Sequence, residues 1–294
     1  EHSFVLFGQL ETCGCRVAVG VRNSRCGLVV KGVGDTSGGA AARAAAWPLQ
    51  VIVPDVHILV SGGPDERRRF LDWLAVHVEP ESLALWRQFR RALKQRNAAL
   101  KGGGSRDSLS AWDREFCRLG ERVDAVREAV LAAALETLQE HGSALLGAEI
   151  DFRYASGWSR ERSLQEALED HFERDCALGT TQVGPHRADL RLIYDERQAR
   201  RLVSRGQQKL LASAMILAAT EIAQTVLERP LLLLLDDPAA ELDRDSLGRL
   251  MERVAGLGSQ VIATSLELDE SLFPVAPRVF HVEQGELRAA AGRG

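Results

Sequence analysis

The sequence contains no C-x-x-C pair. Its five cysteines, Cys13, Cys15, Cys26, Cys117 and Cys176, are scattered and odd in number. That excludes a zinc ribbon or zinc hook as the organising feature and reads as reduced thiols. No apolar run approaches the ~20 residues that a membrane span needs. The opening stretch "EHSFVLFGQL" has neither the basic start nor the cleavage site of a secretory signal. A charge excess is missing too: 37 Lys and Arg stand against 41 Asp and Glu, a net charge of −4. Bulk electrostatics therefore draw in no polyanion, and any nucleic-acid site has to be a local patch. What is present is ordinary for a globular chain. The 294 residues are 45% hydrophobic and 27% charged, enough for one large domain or two smaller ones.

The first sixty residues read as β structure. "SFVLFGQL", "CRVAVGVRN" and "CGLVVKG" are short Val- and Leu-rich segments between tight turns, the pattern of a meander. "DTSGGAAARAAA" reads as a loop leading into a short helix, and "LQVIVPDV" as a buried strand ended by Pro54. From Asp65 to about His141 the character is helical, with breaks at Pro80 and at the "GGGS" of 102–105. The last of these helices carries Trp112, Phe116, Leu119, Val123, Val126, Val130 and Ala133 at spacings of four and three, a coiled-coil seam. Two long helices joined by a short Gly turn predict an antiparallel arm. Beyond residue 149, strand and helix patterns alternate to the end, with "VFHVEQGEL" as a final strand. This predicts a parallel α/β core interrupted by the arm.

Two stretches carry chemistry. In "LLLLLDDPAAELD" a run of leucines ends in Asp236 and Asp237. Uninterrupted Leu predicts a strand buried on both faces and central in a parallel sheet, and such sheets bind ligands at the carboxyl ends of their strands. Alternation along a strand sends the two carboxylates different ways. Asp236 is then the Mg²⁺ ligand, through water, and Asp237 the catalytic carboxylate that orients water for attack on a phosphate. The competing reading is a pair of exposed loop carboxylates. In "VSRGQQK", Ser204, Gly206 and Gln207 put a hydroxyl and backbone N–H groups at a helix N-terminus, a ready anion site. A serine there is also a common helix cap.

Together these stretches resemble the ATP-binding-cassette class of ATPases. "VSRGQQ" resembles the signature motif, "LLLLLDD" the Walker B strand and "AAELD", ending in Asp243, the D-loop. Gln50 matches the Q-loop glutamine, and Thr264 and Ser265 stand at the switch position. The resemblance implies an α/β fold, a Rad50/SMC-like ATPase head with an inserted antiparallel helical arm. The head comprises residues 1–62 and 149–294, and the arm 63–148. It also implies ATP and Mg²⁺ as cofactors, with Gln50 contacting both and Asp243 and Thr264 contacting the nucleotide. Within the class, "GGPDERRRFLDW", "LKQRNAALK", "GPHRADL", "SRGQQKLL" and "DDPAAELD" resemble a family of bacterial recombination and replication-repair ATPases. That family implies a cytoplasmic, ATP-dependent DNA-binding homodimer and weak DNA-dependent ATPase. It binds single-stranded and gapped duplex DNA, works with RecR and RecO to load recombinase, and supports the SOS response.

The phosphate loop G-x-x-x-x-G-K-[ST] occurs nowhere in the sequence; "GVGDTSGGAA" is Gly-rich but has no lysine. The expectation is a chain that begins downstream of that loop. A DNA-binding scaffold without ATP turnover is therefore the alternative function. Between Arg87 and Arg106 there are many bases and no acid. Arg87, Arg91, Lys94 and Lys101 recur at roughly helical spacing. Spacing alone allows a solvated face or a phosphate-tracking surface equally; the missing acids and the family resemblance favour DNA. His186 and Arg187 have two open readings, proximity to nucleotide or DNA and support of a strand.

Overall fold

The computed structural model describes residues 4–12, 15–24, 27–32, 49–266, 269–273, 275–283 and 286–289. The chain divides into two compact units, Glu1–Pro48 and Leu49–Gly294.

The first unit contains an antiparallel meander of β1 (Phe4–Thr12), β2 (Cys15–Ser24) and β3 (Gly27–Gly32). Thr12 faces Cys15 and Ser24 faces Gly27, so each connection is only two residues long, as the tight turns predict. The expected loop and short helix of "DTSGGAAARAAA" fall outside the described residues.

The second unit opens with β4 (Leu49–Ile52), which Pro54 ends by starting a 3-10 turn, Pro54–His57, followed by α1 (Ile58–Ser61). Three helices follow. Pro64 begins α2 (Pro64–Val78), with Asp65 and Glu66 in its first turn. Then come α3 (Ser82–Lys101) and α4 (Arg106–Leu146), the latter capped by the Ser105 hydroxyl and ended by Gly147 at φ 70°. Next are β5 (Asp151–Ala155), α5 (Leu164–Leu178), β6 (Asp189–Tyr194), β7 (Arg197–Gln198) and α6 (Arg205–Leu227). The chain continues through β8 (Leu232–Asp236), α7 (Arg244–Gly256) and β9 (Gln260–Thr264). The segment expected as one final strand is an antiparallel pair, β10 (Phe280–Glu283) and β11 (Glu286–Ala289), with Glu283 facing Glu286.

β8 is the centre of a parallel sheet ordered β4-β8-β9, while β5, β6 and β7 form a separate antiparallel sheet. Leu233 and Leu235 are fully buried, but Leu232 and Leu234 are only half-buried. Val51 and Ile262, in register with Leu234, are 37% and 53% exposed. The expected burial on both faces of β4 and β8 is thus found on one face of this unit, because its core lies on one side of the sheet.

That core is built on α6, in which every residue from 209 to 220 is buried. By length and composition α6 would qualify as a membrane span, which revises the expectation that no such run exists. Its packing against α1, α2 and α4 marks it as a core helix. The α4 seam runs as expected from Phe116 through Leu119 and Val123 to Val130, but Trp112 and Ala133 are exposed. The buried stripe rotates to Leu131, Ala134, Leu138, His141 and Leu145. An α-helix has 3.6 residues per turn, so a 3.5-residue seam cannot hold one face along such a length. Two partners accommodate the drift, since α4 packs against α3 and against α6.

Candidate functional site

Asp236 ends β8, exposed, and its Oδ1 accepts from the Thr264 hydroxyl at 2.6 Å. Thr264 lies directly across the β8–β9 ladder, so strand register makes this contact. The strand stops there. Asp237 takes a left-handed backbone with φ 44°, and its N–H reaches the Thr264 carbonyl at 3.2 Å and hydroxyl at 3.1 Å. Strand alternation therefore does not separate the two carboxylates as expected; a turn beginning at Asp237 does. Neither carboxylate has an ion pair among the described residues. The loop has a second left-handed residue, Glu241 at φ 69°, and ends at Asp243, which caps α7. Both Asp243 oxygens are engaged by Ser246, its amide at 2.8 Å and its hydroxyl at 2.7 Å. The amide bond, then the hydroxyl, holds this carboxyl below the usual carboxylate range.

Ser204 caps α6 in a full capping box. Its hydroxyl accepts from the Gln207 amide at 3.3 Å, and its own amide donates to Gln207 Oε1 at 2.9 Å. The other amides of that first turn have no partner within the helix and point outward, toward any anion placed there. The turn is tied to the loop after β8. Arg205 pairs with Glu241 at 3.0 Å, and the α-carbon of Gly206 faces the Glu241 carbonyl, where an added Cβ would sit in ordinary contact at 3.5 Å. Lys209 donates to the Ala240 carbonyl at 2.5 Å. These three contacts were not foreseen; the only signal for them was a lysine and an arginine flanking the expected anion site. Gln50 is not brought to this site. It pairs in register with Leu233, three residues and so about 10 Å before Asp236 along the sheet.

On α3, Arg87, Arg91, Lys94 and Lys101 are all exposed, and Arg90 joins them. None has an ion pair among the described residues. At 1.5 Å per residue the row from Arg87 to Lys101 is about 21 Å long. The opposite face, with Leu85, Trp86, Phe89, Ala92, Arg96 and Leu100, is buried. His186 resolves toward support of the fold, while Arg187 stays exposed. His186 Nε2 donates to the Thr181 carbonyl at 2.9 Å, with Phe89 and Phe116 beside the ring. Burial pushes its imidazole down to about 4. Arg187 donates to the Gln182 side chain at 3.2 Å.

A central parallel strand with acids at its tip, and a serine-capped core helix fastened to the loop beyond, belong to the fold of an ATP-binding-cassette head. The fold agrees with solved structures. One is the recombination mediator protein RecF-ATPrS of the RecFOR pathway, with TM-score 0.81 and 20% identity over 99% of this chain and 81% of that one. Another is the Smc head domain of Pyrococcus furiosus, with TM-score 0.50 and 14% identity over 94% and 71%. No family model matches the chain. Curated relatives do: DNA replication and repair protein RecF of Thioalkalivibrio sulfidiphilus is 39% identical over 92% of this chain and 76% of its own length. RecF of Edwardsiella ictaluri is 38% identical over 97% and 81%, and that of Shewanella pealeana 34% over 98% and 81%. The chain belongs to the RecF family of DNA replication and repair proteins.

Proposed function

We propose that this chain is an ATP-gated DNA-binding head acting in recombinational and replication-gap repair. Residues 1–62 and 149–294 serve as the head and 63–148 as its helical arm. It binds single-stranded and gapped duplex DNA, assists recombinase loading with RecR and RecO, and contributes to the SOS response in the cytoplasm. The observation that carries the reading is the fastening of the Ser204 turn to the β8 loop beside two unpaired carboxylates. The donors fit Mg²⁺, a hard cation that takes oxygen ligands. Asp236 engages only one oxygen, with Thr264, and is exposed. Bound Mg²⁺ with ATP supplies neutralisation of phosphate charge. Asp236 would hold the metal, and Asp237 would orient a water for attack on the phosphate. Ser204, Gly206 and Gln207 offer hydroxyl and amide donors to the γ-phosphate of a nucleotide held by a second subunit. Closure of that dimer grips DNA along the α3 row.

The test is DNA affinity against salt. Replacing Arg87, Arg91 and Lys94 by Gln removes three phosphate contacts. It should weaken binding to all single-stranded sequences and lower the slope of log K against log salt by about 2. An unchanged slope would remove α3 from the DNA surface.

A further inference from the structure

Lys209 is the one cation of the α6 core. It is 1% exposed, it donates a hydrogen bond to the Ala240 carbonyl, and it has no ion pair among the described residues. The opposing charges that act on it are Glu241 and Asp237. Burial holds the ammonium below the usual lysine range, and those two carboxylates draw it partway back. Enclosing a charge with so little compensation costs folding free energy, and an apolar side chain of similar length would fill the space more cheaply. Lysine at this place is therefore unfavourable as packing, which points to a task other than stability.

The task follows from what its two ends join. The backbone of Lys209 belongs to the helix whose first turn carries Ser204, Gly206 and Gln207. Its ammonium grips the loop whose first residue is Asp237, at the Ala240 carbonyl, immediately before the second left-handed residue, Glu241. A buried cation on a carbonyl is a stiff, short link. The surface pair Arg205–Glu241, with both side chains about half exposed, is a weak one. We infer that Lys209 is a positioning residue that couples the signature turn, which closes on a nucleotide held by another subunit, to the Asp237 loop of its own site. The inference rests on the ATP-gated reading and adds to it a route by which one site senses the other.

The experiment mixes this chain with a RecF relative that carries a phosphate loop but whose own signature serine is replaced by Arg, so that turnover requires the Ser204 turn of this chain. The readouts are half-saturating chain concentration, maximal turnover, and stability of the isolated chain to urea. Lys209→Met should leave stability equal or higher and half-saturation within about twofold. Loss of the charge-assisted link should lower maximal turnover about tenfold or more. Amide exchange at 239–242 should rise while that of 210–220 does not. Unchanged turnover with wild-type-like association overturns the inference and leaves the ATP-gated reading standing. If Lys209→Met and Lys209→Gln both destabilise or fail to fold, Lys209 is a packing residue and the inference is wrong. If the wild-type chain neither associates with nor activates the relative, the reading fails and takes the inference with it.

Discussion

In the helical region Arg96 is fully enclosed and shared among Asp113 at 2.6 Å, Asp175 at 2.7 Å and Thr181 at 2.7 Å, joining α3, α4 and α5. Arg127 is treated alike, held by both oxygens of Asp72, at 2.8 and 3.1 Å, and by the Pro185 carbonyl. At the tip of β8 the reverse holds: Asp236 and Asp237 have no cation among the described residues within ion-pair reach. Charges that specify the fold are enclosed and matched within the chain. Charges left unmatched at the carboxyl end of a central strand are available to a ligand. The difference separates carboxylates that the fold uses from carboxylates that it leaves available.

The comparison predicts unequal costs of mutation. Arg96→Met leaves Asp175, itself fully buried, without its cation, and should cost about 3–5 kcal/mol in denaturant unfolding. His186 belongs to the same enclosed region. The unfolded imidazole takes up its proton near pH 6.5 and the folded one near 4. The unfolded state thus binds more protons between those values. Stability is complete above about pH 6.5 and falls as pH drops toward 4, by roughly 3 kcal/mol at most. His186→Gln should flatten that part of a pH–stability curve. A smaller effect, about 1 kcal/mol, is expected for Ser163→Ala, which removes the capping box of α5, and thermal unfolding should detect it. Smallest is Asp237→Asn, predicted to change stability by no more than about 0.5 kcal/mol, because its carboxylate makes no ion pair among the described residues and acts on Lys209 only from beyond ion-pair distance. A large cost there would erase the distinction between the two regions.

The tip of β8 and the start of α6 were more legible in the sequence than the scaffold. A leucine run ending in two acids and a Ser-x-x-Gln cap are local patterns, and both stand where the sequence placed them. Arg96 looked like one more base of a basic helix. Its carboxylates lie 17 and 79 residues away, and no local period reports that. The face of α3 that stays exposed followed from helical spacing, whereas the rotation of the α4 stripe depended on which helices it meets. The Asp237 turn was hidden because a left-handed aspartate has no signature in a strand-like run. Gln50 matched a motif by sequence, but parallel register sets it too far back to meet Asp236.

The most direct test of the account is light scattering of this chain mixed with a phosphate-loop-bearing RecF relative, with and without MgATP. If the Ser204 turn is a signature that closes on a nucleotide held by another subunit, association appears only with MgATP and is lost in Ser204→Arg, whose long side chain fills the anion site. Association that ignores ATP, or that survives Ser204→Arg, would contradict it.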